Sequence, residues 1–188
     1  MTARLLFILC FLVTTALAKF PDNFDQALEV IAFGSCNRDE LPQPVWTAVS
    51  ANQPDLWIWG GDNIYADWYE PEGKRVTYKV DHSWITKRYA AQFNRPDYAA
   101  FRERTPILGT WDDHDYGKNN AVGDYPLKNV SRDLALTFME VPLSDPRWTR
   151  PGLYGSYDFG PGGRRTRIIL IDNRYFATRS NADEATLL

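Results

Sequence analysis

Four times in this chain an apolar, strand-forming run ends abruptly and a polar cluster begins. Leu28-Glu-Val-Ile-Ala-Phe33 leads into Gly34-Ser-Cys-Asn37, and Asp55-Leu-Trp-Ile-Trp59 into Gly60-Gly-Asp-Asn63. Pro106-Ile-Leu-Gly-Thr-Trp111 leads into Asp112-Asp-His-Asp115, and the run from Arg167 to Ile171 into Asp172-Asn-Arg174. Short runs rich in β-branched and aromatic residues and bounded by turn residues read as strands. Pro44 to Ala51 reads as a short helix with proline near its start, closed by Pro54. Strand, helix, strand in so little chain predicts a βαβ unit with parallel strands. In an open α/β sheet the C-terminal ends of the strands line the ligand crevice. The polar clusters, distant in sequence, are therefore expected to converge in space.

Elsewhere the pattern is helical. Trp84, Ile85, Tyr89, Phe93, Tyr98 and Phe101 follow helical spacing between Val80 and Arg104, and Asn94-Arg-Pro96 divides that stretch into two helices. Asn129 to Val141 predicts another helix, with Leu134, Phe138 and Val141 on one side. Tyr154 to Phe159 and Arg167 to Ile171 predict a hairpin around Gly160-Pro-Gly-Gly163. A chain of 188 residues, 44% hydrophobic and 24% charged, can fill one globular core. A net charge of -3 argues against a nucleic-acid or anionic-membrane footprint.

The first residues read as a secretory signal rather than as part of the fold. Arg4 precedes an apolar run, and Ala16-Leu-Ala18 is a small-x-small cleavage site, so residues 1–18 are expected to be removed after Ala18. The run is too short for a comfortable membrane span, and the rest of the chain offers no other. The protein is expected to be secreted or extracytoplasmic, with residues 19–188 as its domain. Cleavage removes Cys10 and leaves Cys36 alone, so no internal disulfide is expected. Asn129-Val-Ser131 is a glycosylation sequon, acceptable on a secreted surface loop.

The clusters themselves limit the chemistry. Gly109-Thr-Trp-Asp-Asp-His-Asp-Tyr-Gly-Lys-Asn-Asn120 sets three carboxylates about one of the chain's two histidines. Such packing of like charge is tolerated in a solvated loop, or where cations offset it. Asp62 follows two glycines, which let its carboxylate turn into a crevice, where its two oxygens can bridge two cations. Tyr65, three residues on, can return to the same side, or pack in the core. Thiolate from Cys36 with phenolate from Tyr65 favours ferric iron or zinc. Abundant Asp and Asn oxygen favours a harder second ion, calcium or magnesium. His114 can be a ligand or a general acid, oriented by Asp113 or Asp115. Asn119 can supply a neutral carbonyl oxygen. Arg174 can bind a substrate oxyanion in a fork, or serve only as a surface ion pair.

In this order the motifs resemble alkaline phosphatase D, the PhoD-like metallophosphatases. The residues that carry the resemblance are Phe33-Gly-Ser-Cys36, Gly60-Gly-Asp-Asn-Ile-Tyr-Ala-Asp67, Thr110-Trp-Asp-Asp-His-Asp-Tyr-Gly117 with Asn119, Gly152-Leu-Tyr-Gly-Ser-Tyr-Asp-Phe159, and Leu170-Ile-Asp-Asn-Arg-Tyr175. The resemblance implies phosphomonoesterase and phosphodiesterase activity on a four-layer αββα metallophosphoesterase sandwich, with ferric iron and calcium. By similarity Cys36 and Tyr65 would bind iron, Asp62 would bridge, and Asn119 would serve the calcium side. His114 would be the acid or the phosphate contact, with Asp113 a further ligand. The family continues past this point to a late aspartate and histidine of the metal site. The chain therefore reads as the N-terminal part of the sandwich, an incomplete domain with apolar sheet surface left exposed.

Two functions suit these residues. One is a secreted hydrolase of small-molecule or polymeric phosphate esters, in which metals bind the phosphate oxygens and hydroxide attacks phosphorus in line. The other is a binding protein that holds a phosphorylated ligand without turnover, because its metal site is incomplete. The intact set of Cys36, Asp62, Tyr65, His114 and Asn119 argues for the enzyme.

Overall fold

The computed structural model of the chain describes residues 20–69, 76–77, 80–179 and 185–186. The expected signal segment, with Cys10 and the cleavage site after Ala18, lies outside them. The βαβ unit is present. Strand β1 (Ile31–Gly34) is followed by helix α1 (Val45–Ala51) and strand β2 (Leu56–Gly60). A short ribbon of β3 (Trp68–Tyr69) and β4 (Val76–Thr77) precedes helices α2 (His82–Phe93) and α3 (Pro96–Arg102). The break between these helices falls where Asn94-Arg-Pro96 places it, with Pro96 in the first turn of α3. Strand β5 (Ile107–Thr110) runs straight into the four-residue helix α4 (Asp113–Tyr116). Helix α5 (Lys128–Phe138), a hairpin of β6 (Gly155–Phe159) and β7 (Thr166–Leu170), and a ribbon of β8 (Thr178–Arg179) and β9 (Ala185–Thr186) complete the described chain.

Strands β1, β2 and β5 form a parallel sheet with β2 in the centre. Alternation along β2 sends Trp57 and Trp59 to one face and Leu56 and Ile58 to the other. The tryptophan face meets the helices in one aromatic-rich core that includes Trp46 of α1, Ile85 and Tyr89 of α2, Tyr98 and Phe101 of α3, and Phe138 of α5. The Trp46 ring lies 4.8 Å from that of Tyr98 and 5.1 Å from that of Trp57. Burying each such side chain stabilises the fold by roughly 2–3 kcal/mol. The opposite face is covered by the β6–β7 hairpin, where Leu56 and Leu108 pack on Phe159 and Leu170. The order of layers is thus helices, parallel sheet, antiparallel sheet. These are three layers of the expected αββα sandwich, and the second helical layer is not among the described residues.

Apolar side chains are exposed where the sheets are uncovered. Phe33 on the edge strand β1 is 79% exposed, and Ile169 and Ile171, at and just beyond β7, are each 66% exposed. Exposed apolar surface of this kind drives association. Phe33→Ser and Ile169→Thr are expected to lower concentration-dependent light scattering of the purified chain, and equal scattering by the variants would contradict this reading.

The sequon sits in a different setting from the surface loop expected. Asn129 is exposed but lies in the first turn of α5, and its Oδ1 accepts a hydrogen bond from the Tyr175 hydroxyl at 2.7 Å. The Ser131 side chain is fully buried.

Candidate metal centre

The three parallel strands end on one edge, and the loops that leave them are bound to each other. The Cys36 N–H donates to the Gly61 carbonyl at 3.2 Å, and the Asn37 N–H to the Asp62 carbonyl at 2.7 Å. Asn63, fully buried, ties the same loop to the third strand end. Its N–H reaches Asp115 Oδ2 and its side-chain amide the Thr110 carbonyl, each at 3.0 Å. Cys36 and Asp62 adopt positive φ of 56° and 50°, a left-handed conformation that costs a non-glycine residue about 1–3 kcal/mol. Gly61 has φ 106°, and a Cβ there would lie 2.7 Å from both Cβ and the backbone N of Asp112, so only glycine lets the loops approach this closely.

The strained turns aim three different donors at one point. The Cys36 thiol lies 3.8 Å from Asp62 Oδ2, and the Tyr65 hydroxyl donates to the same oxygen at 3.3 Å. Asp62 Oδ1 accepts the His114 N–H at 3.3 Å. Asp62, Asp113 and His114 each offer a ligand atom within 4.8 Å of the others, and all three are buried. The thiol is exposed and free. This donor set fits metal ions: thiol and phenol meet at one oxygen of Asp62, and the Asp113 carboxylate and His114 imidazole lie close by.

The partner of His114 differs from the one expected. Neither Asp113 nor Asp115 orients the ring. Its Nδ1 faces Asp67 Oδ1 at 2.7 Å, and a carboxylate can only accept, so Nδ1 carries the proton and Nε2 is left for another group. Asp113 stays close to the imidazole as a charge and does not hydrogen-bond its Nδ1, while Asp115 turns to the interior. Asp115 is instead fully buried as a structural tie, accepting the Asp112 N–H at 2.7 Å as well as that of Asn63. Nothing in the Gly60-to-Asp67 motif marks Asp67 for this role. Its other oxygen accepts the Asn119 N–H at 2.8 Å and so fixes the loop that follows α4. The Tyr65 ring lies against the imidazole, with centroids 4.3 Å apart.

The remaining candidates lie at the rim. The Asn119 side chain is exposed. Arg174 donates from Nε to Asp112 Oδ1 at 2.5 Å, and Asn173 Nδ2 donates to the same oxygen at 2.9 Å. Asp172 holds this segment in place, accepting the Trp111 indole N–H and the Arg174 and Tyr175 N–H groups on Oδ1, each at 2.9 Å. The acidic cluster is thereby divided. Asp112 pairs with the β7 loop, Asp113 faces the centre, and Asp115 is internal.

The electrostatics match a site poised for cations. Burial pushes the Asp62 carboxyl up to about 6; the His114 charge opposes this, and Asp113 and Asp112 add to it. For His114, burial works against the charged form, but the bond and charge of Asp67 and the charges of Asp113 and Asp62 raise its pKa above the usual value. Burial lifts Asp39 to about 6, against the pull of Arg88. All three groups bind protons more tightly folded than unfolded, so the stability they confer falls as pH rises from about 4 through the folded values. Glu40 and Asp145, lowered by their arginines despite burial, act in the opposite sense but only in more acidic solution. The metal-free chain is therefore expected to melt at a higher temperature at pH 5 than at pH 8, with added cations restoring stability at pH 8. A melting temperature that is greatest at pH 8 without metal would contradict this.

A parallel α/β sheet with candidate metal donors at its strand ends, Asp62, Asp113 and His114 buried and Cys36 exposed, is the arrangement this chain presents. The family model described as PhoD-like phosphatase matches residues 31–185, and the chain belongs to that family. The fold is similar to the solved structure of PhoD, with a TM-score of 0.67 at 19% identity. That match covers 86% of this chain and 35% of the other, so the chain spans about a third of the length of that relative. No curated protein matches the sequence. Among the described residues no helix is long and apolar enough to cross a membrane.

Proposed function

We propose that the chain is a metal-dependent hydrolase of phosphoric esters, acting on phosphomonoesters and phosphodiesters, small or polymeric, outside the cytoplasm. The observation that carries this reading is the meeting of thiol, phenol and carboxylate at Asp62, beside an imidazole with its Nε2 available. Cys36 and Tyr65 would hold the softer cation, ferric iron or else zinc. Asp62 would be shared, and Asp113 with Asn119 would serve the harder one, calcium or else magnesium. When bound, the cations supply Lewis-acid stabilisation of the phosphoryl oxygens and activation of water.

The rest falls to the chain itself. Asp67 fixes the direction of His114 through Nδ1–H, so that the protonated ring can hand its Nε2 proton to the leaving oxygen. The raised pKa keeps that proton in place further into the neutral range. Arg174 commits Nε to Asp112, and its Nη groups would take a phosphate oxygen. The test is hydrolysis of 4-nitrophenyl phosphate and bis(4-nitrophenyl) phosphate by the purified chain with ferric iron and calcium added. Turnover that a chelator abolishes is expected. A fully metal-loaded chain that turns over neither ester would overturn the reading.

A further inference from the structure

Helix α2 carries two buried polar side chains one turn apart, Arg88 at 8% exposure and Gln92 at 0%. Neither touches the donors at Asp62, and both reach the loops that bear them. Gln92 Oε1 accepts from Asn37 Nδ2 at 2.9 Å and from Gln43 Nε2 at 2.7 Å, and Gln92 Nε2 returns a bond to Gln43 Oε1 at 3.1 Å. Asn37 Nδ2 also donates to the Asn63 carbonyl at 3.0 Å, bolting the residue after Cys36 to the residue after Asp62. Arg88 Nη2 donates to Asp39 Oδ1 at 2.7 Å, and that same oxygen accepts the Tyr65 N–H at 3.2 Å. Arg88 also reaches Glu40 Oε2 at 3.1 Å.

We propose that Arg88 and Gln92 are positioning residues that fix the Cys36 loop and the Tyr65 backbone against Asp62, so setting the spacing of the soft donors. A helix that served only to fill the core would use apolar residues here, since buried polar groups give little net stability against well-packed isosteres. Instead Gln92 bonds the residue next to Cys36, and Arg88 bonds a carboxylate that itself holds the Tyr65 N–H. Groups of this outer kind tune metal affinity by about 10–100-fold when removed. The inference rests on the metal reading above, and the test separates the two.

The variants are Gln92→Leu and Arg88→Met in the full chain. The first readouts are ferric iron retention against a chelator and the visible absorption of the iron-loaded protein, where phenolate and thiolate ligation give colour. Beside them stand the melting temperature of the metal-free protein and the rate of iodoacetamide alkylation at Cys36, read on its peptide by mass spectrometry. Iron retention about 10–100-fold weaker with a shifted band is expected, together with alkylation several-fold faster than in the unsubstituted chain. Each variant leaves buried partners unpaired, so the metal-free melting temperature should fall modestly, and the iron and alkylation readouts are taken well below it. Iron retention, band and alkylation rate all unchanged would overturn the proposal, as would losses that simply track the melting temperature. An unsubstituted chain that takes up no iron would sink the metal reading instead, and the alkylation rates would then decide the positioning role alone.

Discussion

Asp62→Asn is expected to leave a folded chain that no longer hydrolyses phosphate esters. Both oxygens of this carboxylate are engaged, one with the thiol and phenol, the other with the His114 N–H. Asparagine keeps the shape and one oxygen but loses the charge that two cations would share. In the proposed function those cations would supply several kcal/mol of transition-state stabilisation, so turnover should fall by at least about 10³-fold. Stability should move the other way. Burial and the neighbouring aspartates hold Asp62 at about 6, so its ionised form is unfavourable in the metal-free fold at neutral pH. The variant should therefore melt at the same temperature as the metal-free parent or higher at pH 8, and lower metal uptake should be its only loss of binding. Turnover within tenfold of the parent would show that Asp62 is not at the centre of the chemistry.

His114→Gln separates acid catalysis from metal binding. Glutamine fills much of the ring's volume beside Tyr65 but cannot supply a proton at neutral pH. General acid assistance is worth about 10²–10⁴-fold, and it matters most when the leaving group is a poor one. Alkyl phosphate esters should therefore lose that much in kcat, while nitrophenyl esters, whose leaving group departs without a proton, should lose far less. Asp67→Asn should reproduce the pattern more weakly, because it withdraws the group that directs His114 rather than the acid itself. Equal losses on both ester types would assign His114 to phosphate binding instead.

Much of this site was visible in the sequence because a parallel sheet brings its strand ends to one edge. Cys36, Asp62 and Asp113 each follow a strand by a few residues, and strand position alone brought them together. The partner of His114 was not visible. Asp67, Asp113 and Asp115 are all carboxylates near in sequence or motif, and only the path of the loop from Asp62 to Asp67 selects the first. The apolar spacing of α2 says nothing of its polar side chains, and Gln92 is fully buried because it meets Gln43 and Asn37, residues some fifty positions earlier. Strand β1 begins later than the apolar run suggests. The N–H groups of Glu29 and Val30 bond to the Asp55 side chain at 2.7 and 2.9 Å, ahead of the ladder with β2. The ribbons β3–β4 and β8–β9, two residues a strand, are too short for periodicity to mark.

The most direct test of the account is the metal content of the purified chain, measured by elemental analysis before and after Cys36→Ala. Near-stoichiometric iron or zinc in the parent, lost in the variant, is the predicted result. It would mean that thiol, phenol and carboxylate hold a metal where their geometry brings them together. A parent that carries no transition metal after exposure to iron and zinc, or a variant that keeps it, would contradict the claim that this strand-end cluster is a metal centre.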